Sequence, residues 1–305
     1  MSGPEKINIE IFFFFLYNIP MISKTKRLSL HAENAMDKSV DNQVISISCL
    51  KLDFFNTRSL LSVIGNITIA IGRYEFVSVV GPSGCGKTTL LKLIGGLLNK
   101  NDRHVKIDGE IIVDGTSPES AKKNRLFGFA FQNPVLLPWR TVRDNVVLPC
   151  ELIGIDKAIA EKRASHLLDL MEIGAFESSY PHQLSGGMQQ RVNIARTLIH
   201  EPSILLMDEP FGALDELTRE RLNDALLNIH NIKKTTILFV THNLAEAIYL
   251  SDRVVILSNR PSSIYSILEI DLPKNRSEEI KTSSKYVQLL GRLRQLMSSA
   301  NRRDE

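Results

Sequence analysis

Four short stretches of the chain are almost uniformly apolar: FVSVV (76–80), ILLM (204–207), TILFV (236–240) and VVIL (254–257). They are too short for helices and lack the alternation of a half-exposed strand. They therefore predict strands covered on both faces of a parallel sheet. Upstream, VISISCLKLDFF (44–55) and NITIAI (66–71) alternate more loosely and predict two further strands. LLKLIGGLL (90–98), 158–173 and 188–199 carry apolar residues at helical spacing. Strands alternating with helices predict an α/β fold with crossover connections. The mainly helical segment 148–181, set between sheet segments, predicts an inserted helical lobe.

The amino-terminal stretch follows a different pattern. IFFFFLY (11–17) ends at Asn18 and Pro20, far short of the ~20 residues that cross a bilayer. Glu5 and Glu10 precede it and no small-residue cleavage site follows, which argues against a secretory signal. Residues 1–43 read as a disordered leader, or as sequence upstream of a start at Met21 or Met36. Across 305 residues, 43% hydrophobic and 23% charged positions suit a soluble globular protein of one large domain or two lobes. The 37 basic and 34 acidic residues leave a net charge of +3, which argues against a polybasic nucleic-acid binder. Cys49, Cys85 and Cys150 form no CxxC pair. Neither a disulfide scaffold nor a zinc ribbon is expected, and a reducing cytoplasm is.

The first buried-strand run leads directly into Gly81, Pro82, Ser83, Gly84, Cys85, Gly86, Lys87, Thr88 and Thr89. This is G-x-x-x-x-G-K-[ST] between a strand and a helix, the setting in which that motif cradles phosphate. Gly84 and Gly86 can take backbone angles closed to other residues, so that successive N–H groups turn inward on an anion. A helix starting near Lys87 adds its positive end. Lys87 is expected to reach the β- and γ-phosphates and the Thr88 hydroxyl to ligate Mg²⁺. Cys85 lies inside the same positive nest, which predicts a lowered thiol pKa and alkylation slowed by bound nucleotide.

Asp208 and Glu209 close the ILLM strand. A strand-end carboxylate beside the phosphate loop can hold Mg²⁺, and the next one can polarise the attacking water. Ser185, Gly186 and Gly187 precede a helical run, as either a capped turn or a second anion receptor presented to a nucleotide held by another copy.

GPSGCGKT, Gln132 in FQNPVLLPWR, LSGGMQQR, ILLMDEP, GALD (212–215) and His242 follow one another in this order. It is the order of the Walker A, Q-loop, signature, Walker B, D-loop and H-loop motifs, and from 44 to 272 the chain resembles an ATP-binding-cassette (ABC) transporter ATPase. LLPWRTVRDNV, DEPFGALDELTR and the closing NRPSSIYSILEIDLP are similar to the nitrate/sulfonate/taurine importer group. The resemblance implies a P-loop NTPase fold of the ABC type: a mainly parallel core sheet, an antiparallel β subdomain and a helical lobe at about 133–195. A helical tail would follow at 273–305.

The resemblance further implies that ATP and Mg²⁺ are bound. Phe54 would stack on adenine, though Phe55 and a plain core role for Phe54 stay open. Glu209 would be the catalytic base and His242 the γ-phosphate contact. Gln132 would meet Mg²⁺ or the attacking water, Asp208 would hold Mg²⁺, and Asp215 would cross a dimer interface. Two copies would close head to tail over two ATP molecules, each held by one copy's Lys87 loop and the other's Ser185 turn. The partners implied are integral-membrane permease subunits and, through them, a solute-binding protein, with the chain on the cytoplasmic face of the membrane and no nucleic acid. Trp139, with Leu136, Leu137 and Pro138, would receive a permease helix or else be buried in the lobe. The alternative is a soluble ABC ATPase of DNA repair or the ribosome. The long coiled-coil insertion or second cassette usual there is absent from this sequence.

Overall fold

A computed structural model describes residues 42–56, 59–98 and 104–301. Residues 1–41 of the leader, with 57–58, 99–103 and 302–305, lie outside the described residues. The strands are β1 (Gln43–Asn56), β2 (Ser59–Gly72), β3 (Phe76–Val80), β4 (Val105–Val113), β5 (Phe127–Ala130), β6 (Ile204–Asp208), β7 (Thr236–Val240), β8 (Arg253–Leu257) and β9 (Ser262–Glu269). They join in one sheet ordered β4-β1-β2-β9-β8-β3-β7-β6-β5. From β8 to β5 the neighbours are parallel, while β1 pairs antiparallel with both β2 and β4. The parallel core and antiparallel subdomain match the expected fold class.

The apolar runs form strands because both faces of the parallel sheet are covered. Phe76, Val80, Leu205, Met207, Ile237 and Phe239 enter one core. Their alternating neighbours Val77, Val79, Ile204, Leu206, Leu238 and Val240 enter the other. A period of two thus runs through segments that look continuous in sequence, and each side chain has a core to enter. Helix α1 (Lys87–Ile94) contributes Leu91 and Ile94 to the second core.

The first core also contains the helical lobe, built on α3 (Val142–Ile153), α4 (Lys157–Leu170) and α5 (Gly186–Leu198); the short α2 (Pro118–Lys123) precedes it. Helix α3 begins at Val142, upstream of the predicted 148, and continues through Pro149. Its start is a capping box: Thr141 accepts from the Asp144 N–H, and the Asp144 carboxylate reaches back to the Thr141 N–H.

The fully buried Asn145 of α3 accepts from the Leu137 N–H at 2.8 Å. It donates to the carbonyls of Leu137, Arg140 and Thr141 at 3.1, 3.1 and 2.9 Å. These bonds staple the Pro138–Trp139 turn to the lobe. Replacing Asn145 by Ala strands those groups without water, and a buried group left unpaired costs about 1–3 kcal/mol. Urea denaturation is expected to register at least that loss; an unchanged midpoint would remove the staple from the account.

Helices α6 (Glu216–Lys233), α7 (Leu244–Leu250) and α8 (Ser284–Asn301) complete the fold. Arg276 donates to the Ile248, Tyr249 and Ser251 carbonyls at 3.3, 2.5 and 2.9 Å, capping the end of α7. The Tyr286 hydroxyl of α8 donates to Ala245 at the start of α7, at 3.0 Å. Among the described residues, no helix is long and apolar enough to cross a membrane.

Candidate functional site

The phosphate-loop sequence leaves β3 and enters α1 at Lys87. Gly84 and Gly86 take φ of 73° and 108°. At Gly86 a Cβ would stand 2.8 Å from Val63 Cγ1, so both backbone angle and space require glycine there. The Lys87 ammonium is 2.9 Å from the Gly81 carbonyl and 2.8 Å from that of Pro82, with the side chain folded back along the loop. Ser83 and Gly84 are exposed at the loop's rim, and Pro82, Thr88 and Thr89 are half-buried.

Cys85 corrects the sequence reading. Its thiol packs inward and is 1% exposed. Burial raises its pKa, and this outweighs the opposing pull of the Lys87 charge and the nearby backbone N–H groups. In a nest, the N–H groups act on what lies above the loop. Here the sulfur lies below it, in the second core.

Asp208 ends β6, and β7 separates β6 from β3, so the carboxylate meets the phosphate loop through α1 rather than through a neighbouring strand. The Thr88 hydroxyl is hydrogen-bonded to Asp208, and burial raises the carboxyl's pKa. Asp208 Oδ1 is buried with no protein partner among the described residues. An orphaned carboxylate oxygen beside a threonine hydroxyl fits Mg²⁺, which takes oxygen ligands and draws most of them from water and phosphate. Among the described residues there is no cluster of three His, Cys, Asp or Glu that could hold a metal ion.

Glu209 has a φ of 45°, a region costly for a non-glycine residue and often found at functional sites. Its N–H donates to the Val240 carbonyl at 2.9 Å, anchoring the turn to β7. Two predicted residues converge on its carboxylate. His242 Nδ1 lies 3.0 Å from Glu209 Oε2, and Gln132 Nε2 makes a longer contact of 3.5 Å to the same oxygen. The structure thus places Gln132 beside Glu209, the residue expected to polarise the attacking water.

The remaining predicted residues lie elsewhere. Ser185 caps α5, its hydroxyl accepting from the Met188 N–H at 3.3 Å, with Ser185 and Gly186 exposed. At Gly187 a Cβ would lie 3.1 Å from the Ala213 carbonyl, so the signature turn packs closely on the turn before Asp215. Asp215 is the N-cap of α6, accepting from the Thr218 N–H at 3.0 Å, and that bond lowers its pKa. Phe54 is half-buried against the second core, whereas Phe55 is 39% exposed. Trp139 is 71% exposed, so the buried alternative for it falls.

Sequence reasoning missed what holds the Gln132 loop. Gln190 and Asn193 of α5 both donate to the Phe131 carbonyl, at 3.2 and 3.1 Å. Arg196 donates to the Val135 carbonyl at 2.6 Å. The helix that starts at the Ser185 turn therefore grips both ends of the loop carrying Gln132. A visible signal existed: Gln190, Asn193 and Arg196 recur every three residues and share a helix face with apolar neighbours, and polar side chains buried there need partners.

A family model described as ABC transporter matches residues 64–212. An aliphatic sulfonates import ATP-binding protein of Bacillus anthracis is 44% identical over 80% of this chain and 92% of its own length. The protein of the same name from Bacillus subtilis is 41% identical, over 76% of this chain and 88% of its own. An uncharacterised ABC transporter ATP-binding protein of Methanocaldococcus jannaschii is 45% identical over 75% and 81%. Among solved structures, a dimeric ATP-binding cassette in a post-hydrolysis state, bound to ADP and phosphate, aligns with a TM-score of 0.67 and 30% identity. That alignment covers 75% of this chain and all of that one.

Proposed function

The chain belongs to the family of ABC transporter ATP-binding proteins, and on that premise we infer that it is the ATP-hydrolysing subunit of an importer. The observation that carries the reading is the convergence of His242 and Gln132 on Glu209, beside the Lys87 loop and the unpartnered Asp208 oxygen. Lys87 and the loop N–H groups bind the β- and γ-phosphates. Thr88 and Asp208 hold Mg²⁺, which neutralises phosphate charge when bound. Glu209 takes the proton of the attacking water, and His242 orients Glu209 and meets the γ-phosphate. Gln132 carries the state of the site to the lobe through the α5 grip on its loop.

Two copies close head to tail, the Ser185 turn of one capping the nucleotide of the other, with Asp215 at the contact. Binding of ATP then shifts an open–closed equilibrium and hydrolysis resets it. The chain works at the cytoplasmic face of the membrane. A permease helix docks on Trp139, and a solute-binding protein supplies cargo to the permease. The sulfonate-import relatives support a small anionic cargo such as a sulfonate, taurine or nitrate.

Mild-detergent purification of the chain from native membranes tests the transport reading. A polytopic permease is the expected companion; ribosomal or DNA-repair proteins in its place would overturn it. A Trp139→Ala chain is expected to bind the permease about 30-fold more weakly, since aromatic anchors at interfaces contribute about 2 kcal/mol or more.

A further inference from the structure

Glu246, in the first turn of α7, has a carboxylate only 7% exposed. A charge so buried needs partners. Its Oε2 accepts from the Thr241 hydroxyl at 2.7 Å, and its Oε1 lies 3.4 Å from Arg219 Nε. Arg219 Nη2 donates to the Leu214 carbonyl at 2.8 Å, and Nη1 pairs with Glu216 at 2.7 Å. Leu214 adjoins Asp215, and Thr241 adjoins His242. The Thr241 oxygen also accepts from the Asn243 N–H at 2.9 Å, so the backbone on both sides of His242 is fixed by one hydroxyl. Glu209, Gly212, Arg219, Thr241, His242 and Glu246 line one small cleft.

We propose that Arg219 and Glu246 are positioning residues that tie the turn bearing Asp215 to the strand end bearing His242, so that docking at the first is transmitted to the second, which already stands 3.0 Å from Glu209. This rests on the functional reading of His242 and Asp215 given above. The link runs Leu214 carbonyl, Arg219 guanidinium, Glu246 carboxylate, Thr241 hydroxyl, and every member touches the next. Burial raises the Glu246 pKa, while Thr241, Arg219 and His242 oppose that shift. The carboxylate therefore depends on the partners the link supplies. Arg219 Nη1 and Nη2 hold Glu216 and Leu214, while Nε, without a hydrogen-bond partner among the described residues, meets Glu246 as an ion pair.

The test is steady-state ATP hydrolysis by the full chain, with ADP affinity and thermal unfolding measured alongside. Glu246→Gln keeps shape and loses charge; Thr241→Val removes the hydroxyl and Thr241→Ser retains it. For Glu246→Gln and Thr241→Val, kcat is expected to fall about 10- to 100-fold, the range for misplacing a catalytic group. KM and ADP affinity should stay within about twofold, and Thr241→Ser should recover the rate. On a His242→Ala background, Glu246→Gln should cost nothing more. A full additional loss there, or parallel changes in kcat and KM, would overturn the link and leave the function standing. Full activity of His242→Ala itself would overturn both. Should Glu246→Gln fail to fold, the Val–Ser pair at Thr241 decides.

Discussion

Glu209→Gln is expected to hydrolyse ATP about 10²- to 10⁴-fold more slowly than the parent, the contribution of a positioned general base. The amide keeps the length and shape of the side chain and can still meet His242 Nδ1, now 3.0 Å from Oε2, but it cannot take a proton from water. ATP affinity should change little, because the proposed phosphate contacts come from Lys87 and the loop N–H groups. With ATP binding intact and hydrolysis blocked, the closed dimer should accumulate. Size-exclusion chromatography with and without MgATP reads this directly: a nucleotide-dependent shift to twice the mass is expected. Full-rate hydrolysis by the variant would remove Glu209 as the base.

Lys87→Met should abolish nucleotide binding rather than turnover of bound nucleotide. The ammonium is 8% exposed with the residue and already sits between two loop carbonyls. Each hydrogen bond it gives to a phosphate oxygen is of the charged type, about 1.5–3 kcal/mol. Loss of two such bonds raises the dissociation constant ~10²-fold or more, as measured with a fluorescent ATP analogue. The long methionine stem still fills the space under the loop, so the melting temperature separates lost binding from lost fold. An unchanged dissociation constant would contradict the assignment of Lys87.

Much of the site was legible because its chemistry is local. Gly84, Gly86, Lys87 and Thr88 lie along a single strand–turn–helix, so the roles proposed for them depend on spacing alone, and glycine at 86 is required by the backbone wherever that turn forms. The buried strands were legible because FVSVV and TILFV tolerate no solvent-facing side. Less visible were β4, mostly exposed at the sheet edge, and β5, only four residues long. Helix α3 was placed too late because its first turns mix polar and β-branched residues and its capping box is what starts it.

Residue type and short-range periodicity were enough to read the α/β class and to single out the phosphate loop and the strand-end carboxylates as candidates. The packed fold was needed to place the Cys85 thiol in a core, where its pKa is raised rather than lowered. It alone put β7 between the loop strand and the Asp208 strand, and brought Gln132 and His242 onto one oxygen of Glu209. It alone stapled the Trp139 turn with Asn145 and joined Leu214 to Thr241 through Arg219 and Glu246. One cause runs through all of these. Desolvation and hydrogen-bond partnership are set by groups distant in sequence, and which atom lies within 3 Å of another becomes defined only once both faces of the sheet are packed.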